Sequence, residues 1–151
     1  MKESDVVGKV FVDFYKGWII AAPNTYALAY GFEADLLAVT KSGYSVEYEV
    51  KLTKSDFLND GKKLTSYSKI PKYHKLEQGK GPNRFYYVLP KNMVEEHLIP
   101  SWAGIIYLDN KQLYVSRKAK LLHSKKTSDK VIERLERSIF HRFWFNYFLN
   151  K

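Results

Sequence analysis

One stretch constrains this chain more than any other: Ala34–Lys51, two apolar or alternating arms joined by Lys41-Ser42-Gly43. Gly43 suits the tight reversal of a three-residue hairpin loop. The second arm alternates: Val46, Tyr48 and Val50 face one way, Glu47, Glu49 and Lys51 the other. A β-hairpin is therefore predicted over Ala34–Thr40 and Tyr44–Lys51, and the rest of the fold must cover its apolar side.

The flanking segments supply that cover. Val6, Val7, Val10, Phe11 and Phe14 recur at helical spacing after Ser4 and Asp5, read as caps, and Gly17 ends the helix. Trp18–Ala22, closed by Pro23-Asn24, reads as a strand. Thr53–Lys63 reads as a short helix with Thr53 or Ser55 as cap and Phe57 and Leu58 turned inward. Residues 61–80 read as a lysine-rich loop. Phe85–Leu89, Ala103–Leu108 and Gln112–Val115 read as strands, Asn92–Leu98 as a short helix, and Ser128–Asn150 as a long one whose stripe is Ile132, Leu135, Ile139, Phe143 and Tyr147. This order predicts an α/β or α+β sandwich with a mixed central sheet flanked by helices. At 151 residues, without an internal repeat or a Pro- or Ser-rich linker, the chain is expected to form one domain.

Composition narrows the chemistry. With no cysteine, disulfides, thiol nucleophiles and cysteine-ligated metals are excluded. The charged N-terminus does not resemble a signal peptide, and no apolar run approaches the ~18 residues of a membrane span; a cytoplasmic protein with no membrane partner is expected. Net charge is +9, which suits a polyanion, above all nucleic acid. The excess is concentrated. Residues 61–80 carry Lys62, Lys63, Lys69, Lys72, Lys75 and Lys80 against Glu77, a net of +5, interleaved with Tyr67, Tyr73 and His74. Residues 111–126 carry Lys111, Arg117, Lys118, Lys120, Lys125 and Lys126 with no acid. Such segments fit contact with a phosphate backbone rather than base reading, the alternative being a solvated lysine face. Lys62, Lys63, Lys69, Lys72, His74 and Lys75 are the candidate nucleic-acid contacts. His97, His123 and His141 lack metal-ligand spacing. The aromatics Phe140, Phe143, Trp144 and Phe148 exceed one stripe, leaving a homodimer surface open.

The hairpin carries the candidate chemistry. If Thr40 pairs with Tyr44, Asp35 falls opposite Glu49, on one face, with Cβ atoms about 4.5–5.5 Å apart. Two carboxylates so placed repel, and a hard divalent cation such as Mg²⁺ or Mn²⁺ would compensate. Lys51 lies on the same face about 6.6 Å further on. There it could orient a metal-bound water or stabilise charge developing on phosphate. With a two-residue turn Asp35 would instead oppose Val50, and Glu-x-Glu-x-Lys would be a strand with one solvated face.

Asp35 followed by Glu49-Val50-Lys51 resembles the Asp…(Asp/Glu)-x-Lys signature of the PD-(D/E)XK, or restriction-endonuclease-like, nuclease superfamily. The resemblance extends through Ser55-Asp56-Phe57 with Asp60 and Lys62, Pro82-Asn83-Arg84-Phe85-Tyr86-Tyr87-Val88-Leu89-Pro90, Ile99-Pro100 and Ala103-Gly104-Ile105-Ile106. In that order the blocks are similar to small phage-borne nucleases of the superfamily and to the MmcB-like DNA-repair family, over about residues 18–125. The resemblance implies a restriction-endonuclease-like sandwich and divalent-metal-dependent hydrolysis of DNA. It implies that Asp35 and Glu49 bind the metal with the Val50 carbonyl, and that Lys51 is the catalytic lysine. Many members add a glutamate from the first helix; Glu3, Asp5 and Asp13 are the candidates here, with Glu33 and Glu47 as substitutes. The alternative is a catalytically inactive nucleic-acid-binding module on the same fold.

Overall fold

Strands at the centre of this sheet are buried on both faces, and helices cover both. The computed structural model describes residues 1–150. Its elements in chain order are α1 (Glu3–Phe14), β1 (Trp18–Thr25), β2 (Ala34–Thr40), β3 (Ser45–Val50), α2 (Lys54–Asp60), α3 (Lys72–Glu77), β4 (Arg84–Pro90), β5 (Gly104–Asp109), β6 (Gln112–Arg117) and α4 (Asp129–Leu149), with 3₁₀ turns at Tyr15–Gly17 and Glu96–Leu98. The six strands form one sheet in sequence order. β1–β2, β2–β3 and β5–β6 are antiparallel, and β3–β4 and β4–β5 are parallel. The chain is thus an α/β protein with a mixed, helix-flanked sheet.

Alternation assigns the two faces. Leu36, Ala38, Val46, Tyr48 and Val50 pack against Val6 and Val10 of α1. On the other face Phe85, Tyr87, Leu89 and Ile105 meet Phe57 of α2 and Leu76 of α3. α4 closes the β1–β2 end, where Leu135 packs with Ala22, Leu37 and Val39. Every residue of β3 is buried, as a strand with a parallel neighbour and two covered faces requires.

The structure corrects several local expectations. α1 is capped at Lys2, whose N–H is held by the Asp5 carboxylate at 2.9 Å, rather than by Ser4 or Asp5 in the N-cap position. β1 runs through Pro23, which an edge strand tolerates because one side needs no ladder donor. Thr53 caps α2 through Asp56 N–H as expected, but Leu58 is exposed. Residues 72–77, expected as loop, form α3. Asn92–Leu98 yields only a 3₁₀ turn at its end. Among the described residues of α4, Leu135 is the fully buried one, and Phe143, Trp144, Phe145, Phe148 and Leu149 are 51–78% exposed. No helix among the described residues is long and apolar enough to cross a membrane.

Candidate active site

The hairpin register decides whether the carboxylates meet. Leu36 pairs with Tyr48, Leu37 with Glu47 and Val39 with Ser45, and Thr40 N–H donates to the Tyr44 carbonyl at 2.8 Å. Continued one step, this register sets Asp35 opposite Glu49, so the three-residue turn holds. The Asp35 carboxylate accepts from Val50 N–H at 2.8 Å, while Lys51 N–H donates to the Val88 carbonyl at 3.0 Å. The end of β3 is therefore pinned to β2 by a side chain and to β4 by backbone.

The acidic face is more populated than the hairpin alone implies. Lys51 Nζ lies 3.3 Å from Glu49 Oε1 and 3.2 Å from Asp60 Oδ1. Lys72 Nζ lies 3.3 Å from the same Glu49 oxygen and 3.1 Å from Asp60 Oδ2. Tyr87 donates to Asp60 at 2.5 Å, so the 2.8 Å contact between hydroxyls has Tyr73 donating to Tyr87. Two residues back along β3 from Glu49, Glu47 accepts from the Tyr30 hydroxyl at 2.9 Å. Glu3, in the first turn of α1, lies close enough to Asp35 to push its carboxyl up. Of the acidic candidates for a helix-borne partner, Glu3 is thus the one brought to the hairpin.

Burial and charge set the protonation of this group. Burial pushes the Asp35 carboxyl up to about 6; the Val50 N–H opposes this and Glu3 adds to it. Glu47 is pushed up to about 8, by burial first, with Lys72 opposing and Glu49 reinforcing. Glu49 is also raised by burial, against the pull of Lys72. Burial would raise Asp60 too, but Lys72 and Lys51 outweigh it and hold this carboxyl below its ordinary range. Burial would lower both lysines, and the facing carboxylates raise them instead. Both ammonium groups are therefore charged at neutral pH.

Glu49 and Asp60 thus share the two ammonium groups, while Asp35 and Glu47 are held by the Val50 N–H and the Tyr30 hydroxyl. Glu49 Oε2 is buried and has no hydrogen-bond partner among the described residues, which is costly unless something positive completes it. Oxygen donors and an unfilled carboxylate lone pair fit a hard divalent cation. Among the described residues no three His, Asp or Glu side chains converge as a ready-made cage. Any such ion would rest on Asp35 and Glu49, completed by backbone or solvent oxygen.

The predicted phosphate contacts divide. Lys62, Lys63, Lys69 and His74 are exposed and Lys75 is half-buried, all in the segment that leaves Asp60. Lys72 does not belong with them: as the first residue of α3 it is wholly buried, with its ammonium 5.2 Å from the Phe85 ring centre. Residues 117–126 of the second basic segment do not flank the site. Asn83 ties the carbonyls of His123 and Lys125 to the start of β3 through Ser45. That is about 13 Å along the strand from Glu49. Arg117 is committed to the carbonyls of Ala103 and Pro100.

Tyr30, Tyr73 and Tyr87 enter the site without having been assigned to its chemistry from sequence; Lys72, expected on phosphate, enters it as a buried ion-pair partner, and Asp60, which follows the strand and was open to a supporting role, meets Lys51 and Lys72. For Tyr87 a signal existed, since the parallel register sets it beside Glu49. Asp60 and Lys72, twelve positions apart along an irregular stretch, leave no periodic trace.

Cavities of about 790 Å³ between α1, β1 and α4 and about 640 Å³ beside Lys54 and Lys91 lie near the site. Asp35, Glu49 and Lys51 line neither; Glu3 lines the first. The carboxylate–lysine group sits at a sheet end rather than deep in an enclosed small-molecule pocket.

No family model matches the chain, and no curated protein does. A solved structure, a protein of unknown function from Silicibacter pomeroyi, is similar with a TM-score of 0.62 and 17% identity, covering 85% of this chain and 79% of that one. The likeness supports the α/β architecture and says nothing of activity.

Proposed function

We propose that this chain is a divalent-metal-dependent DNA nuclease of the PD-(D/E)XK superfamily with a restriction-endonuclease-like sandwich. One observation carries the reading: Asp35 and Glu49 oppose each other on one face, with a buried unpartnered Glu49 oxygen and Lys51 alongside. Glu3 beside Asp35 supports it, because the superfamily resemblance calls for a glutamate from the first helix. The open sheet end and the exposed Lys62, Lys63 and Lys69 suit a long polyanion better than a small molecule.

Asp35, Glu49 and the Val50 carbonyl would hold Mg²⁺ or Mn²⁺. When bound, such an ion supplies Lewis-acid polarisation of the phosphate and acidifies the attacking water. The chain's own residues do the rest. Lys51 presents a charged ammonium where negative charge builds on the phosphate oxygens. Asp35, anchored by Val50 N–H, keeps its carboxylate at the strand end. Lys62, Lys63 and Lys69 hold the flanking backbone without reading bases.

A second reading is favoured by the ion pairs themselves: Lys51 and Lys72 already offset Glu49 and Asp60, as in a nucleic-acid-binding module without turnover. The two separate cleanly. Purified protein is incubated with single-stranded, duplex and branched DNA in Mg²⁺ or Mn²⁺, beside Asp35→Asn and Lys51→Met. Cleavage by the parent, lost by at least ~100-fold in both variants with unchanged circular dichroism, is the expected result. Salt-dependent binding that survives Glu49→Gln, with no cleavage in either ion, would establish the binding module instead.

A further inference from the structure

Lys51, Glu49, Lys72 and Asp60 form a closed ring of alternating charge, but its members are not equivalent. The Lys72 side chain is 1% exposed and that of Asp60 0%, whereas Lys51 is 14% exposed. Lys72 therefore cannot meet a phosphate, and Lys51 is the member of the ring nearest solvent. Asp60 is fixed from behind: Tyr87 and Lys72 engage Oδ2, and Lys72 and Lys51 engage Oδ1.

We propose that Asp60 and Lys72 are a positioning pair that places Lys51 and orients Glu49 for the reaction. This rests on the nuclease reading. Both ammonium groups sit on Glu49 Oε1, which leaves Oε2 as the unpartnered oxygen. Lys72 thus selects which oxygen Glu49 presents. Asp60 Oδ1 holds Lys51 Nζ 3.2 Å away, balancing the pull of Glu49 at 3.3 Å. Without Asp60, Lys51 loses one of its two inward partners and swings toward solvent. Without Lys72, the two carboxylates repel and Lys51 is drawn inward between them. A merely structural role would be served as well by an apolar pair, since well-packed neutral residues commonly match or exceed a buried ion pair in stability. These charges lie against the candidate reactive lysine and carboxylate, touching both.

The test compares the parent with Asp60→Asn and with the double variant Asp60→Asn/Lys72→Met, which removes both charges and leaves neither unpaired. Asp60→Asn alone keeps the shape of the site should the double variant fail to fold. Two readouts are taken. The first is the rate at which Lys51 is methylated by formaldehyde and dimethylamine–borane, measured by peptide mass spectrometry and normalised to exposed Lys62. The second is kcat and KM for DNA cleavage in Mn²⁺. Folded variants are expected to methylate Lys51 about tenfold faster and to lose about tenfold or more in kcat with KM within about threefold. A folded variant with Lys51 methylation and kcat both unchanged overturns the proposal. If the parent cleaves no DNA, the nuclease reading fails on its own, and the Lys51 methylation ratio alone decides whether the pair positions that lysine.

Discussion

Glu47 shows what burial does to a carboxyl whose nearest partner is a tyrosine hydroxyl. Its folded value of about 8 lies above the ordinary ~4.3 of a free glutamate. A raised value means that the folded state favours the protonated form. The stability it contributes is complete below about pH 4.3 and is lost as pH rises through about 8. Asp35, raised to about 6, acts in the same direction over a lower window. Asp60, held low by two lysines, acts oppositely: its contribution is present above the ordinary range and is lost as pH falls through its lowered value. The urea midpoint should therefore fall between pH 5 and 8.5, and Glu47→Gln, which keeps an acceptor for Tyr30, should flatten that fall. Equal pH slopes in parent and variant would show that Glu47 is ionised on folding. At this scale the hairpin triad was legible because alternation and turn length fix which side chains share a face. Glu3 was one of three candidates in α1, and nothing within the helix records which of them lies over the end of β2. Lys72 was misread because a lysine among lysines looks solvated, and only the docking of α3 turns it onto Phe85.

α4 illustrates how far an amphipathic pattern can outrun its partner. The expected stripe of five residues resolves into one buried side chain, Leu135, because β1 is the edge of the sheet and its surface ends before the helix does. Leu135→Ala should cost about 2–5 kcal/mol, and Phe148→Ser within about 0.5 kcal/mol, both read from denaturant midpoints. A comparable loss in both would mean that the end of α4 is packed. Gly104 is the opposite case, a strand residue whose missing side chain lets other groups approach. A Cβ there would stand 2.2 Å from the Tyr86 ring and 2.7 Å from the Ala119 amide. Gly104→Ala should cost about 1–3 kcal/mol by overpacking, and a neutral result would require Tyr86 to swing clear. Strands and long helices were legible as elements because their periods repeat. α3, six residues within a lysine-rich stretch, is too short to show one.

Across the whole molecule the +9 charge is not spread evenly around the candidate site. Lys62, Lys63 and Lys69 follow Asp60 directly, whereas Lys125 and Lys126 lie by the start of β3 and the hairpin turn. If DNA crosses the Asp35–Glu49 end, neutralising the first three lysines should reduce the slope of log K against log salt by about one to three units. Neutralising Lys125 and Lys126 should change it less. Fluorescence anisotropy of a labelled oligonucleotide across a salt series measures both, and a larger effect from the second pair would move the footprint to the other end. Charge segregation was legible in the sequence, but not which segment lands beside the carboxylates, since that depends on Asn83 tethering residues 123–125 to Ser45.

The hairpin turn has a practical consequence. Lys41 and Ser42 are exposed at the end of β2 and β3 opposite to the carboxylates. Asp35 and Glu49 keep their partnership through any change that lengthens both arms equally, whereas one extra residue in a single arm turns the whole acidic row over to the α1 side. Ser42 is therefore a handle: a dye, a surface tether or a short paired insertion placed there reports on the molecule, or holds it, while leaving the chemistry at the other end undisturbed.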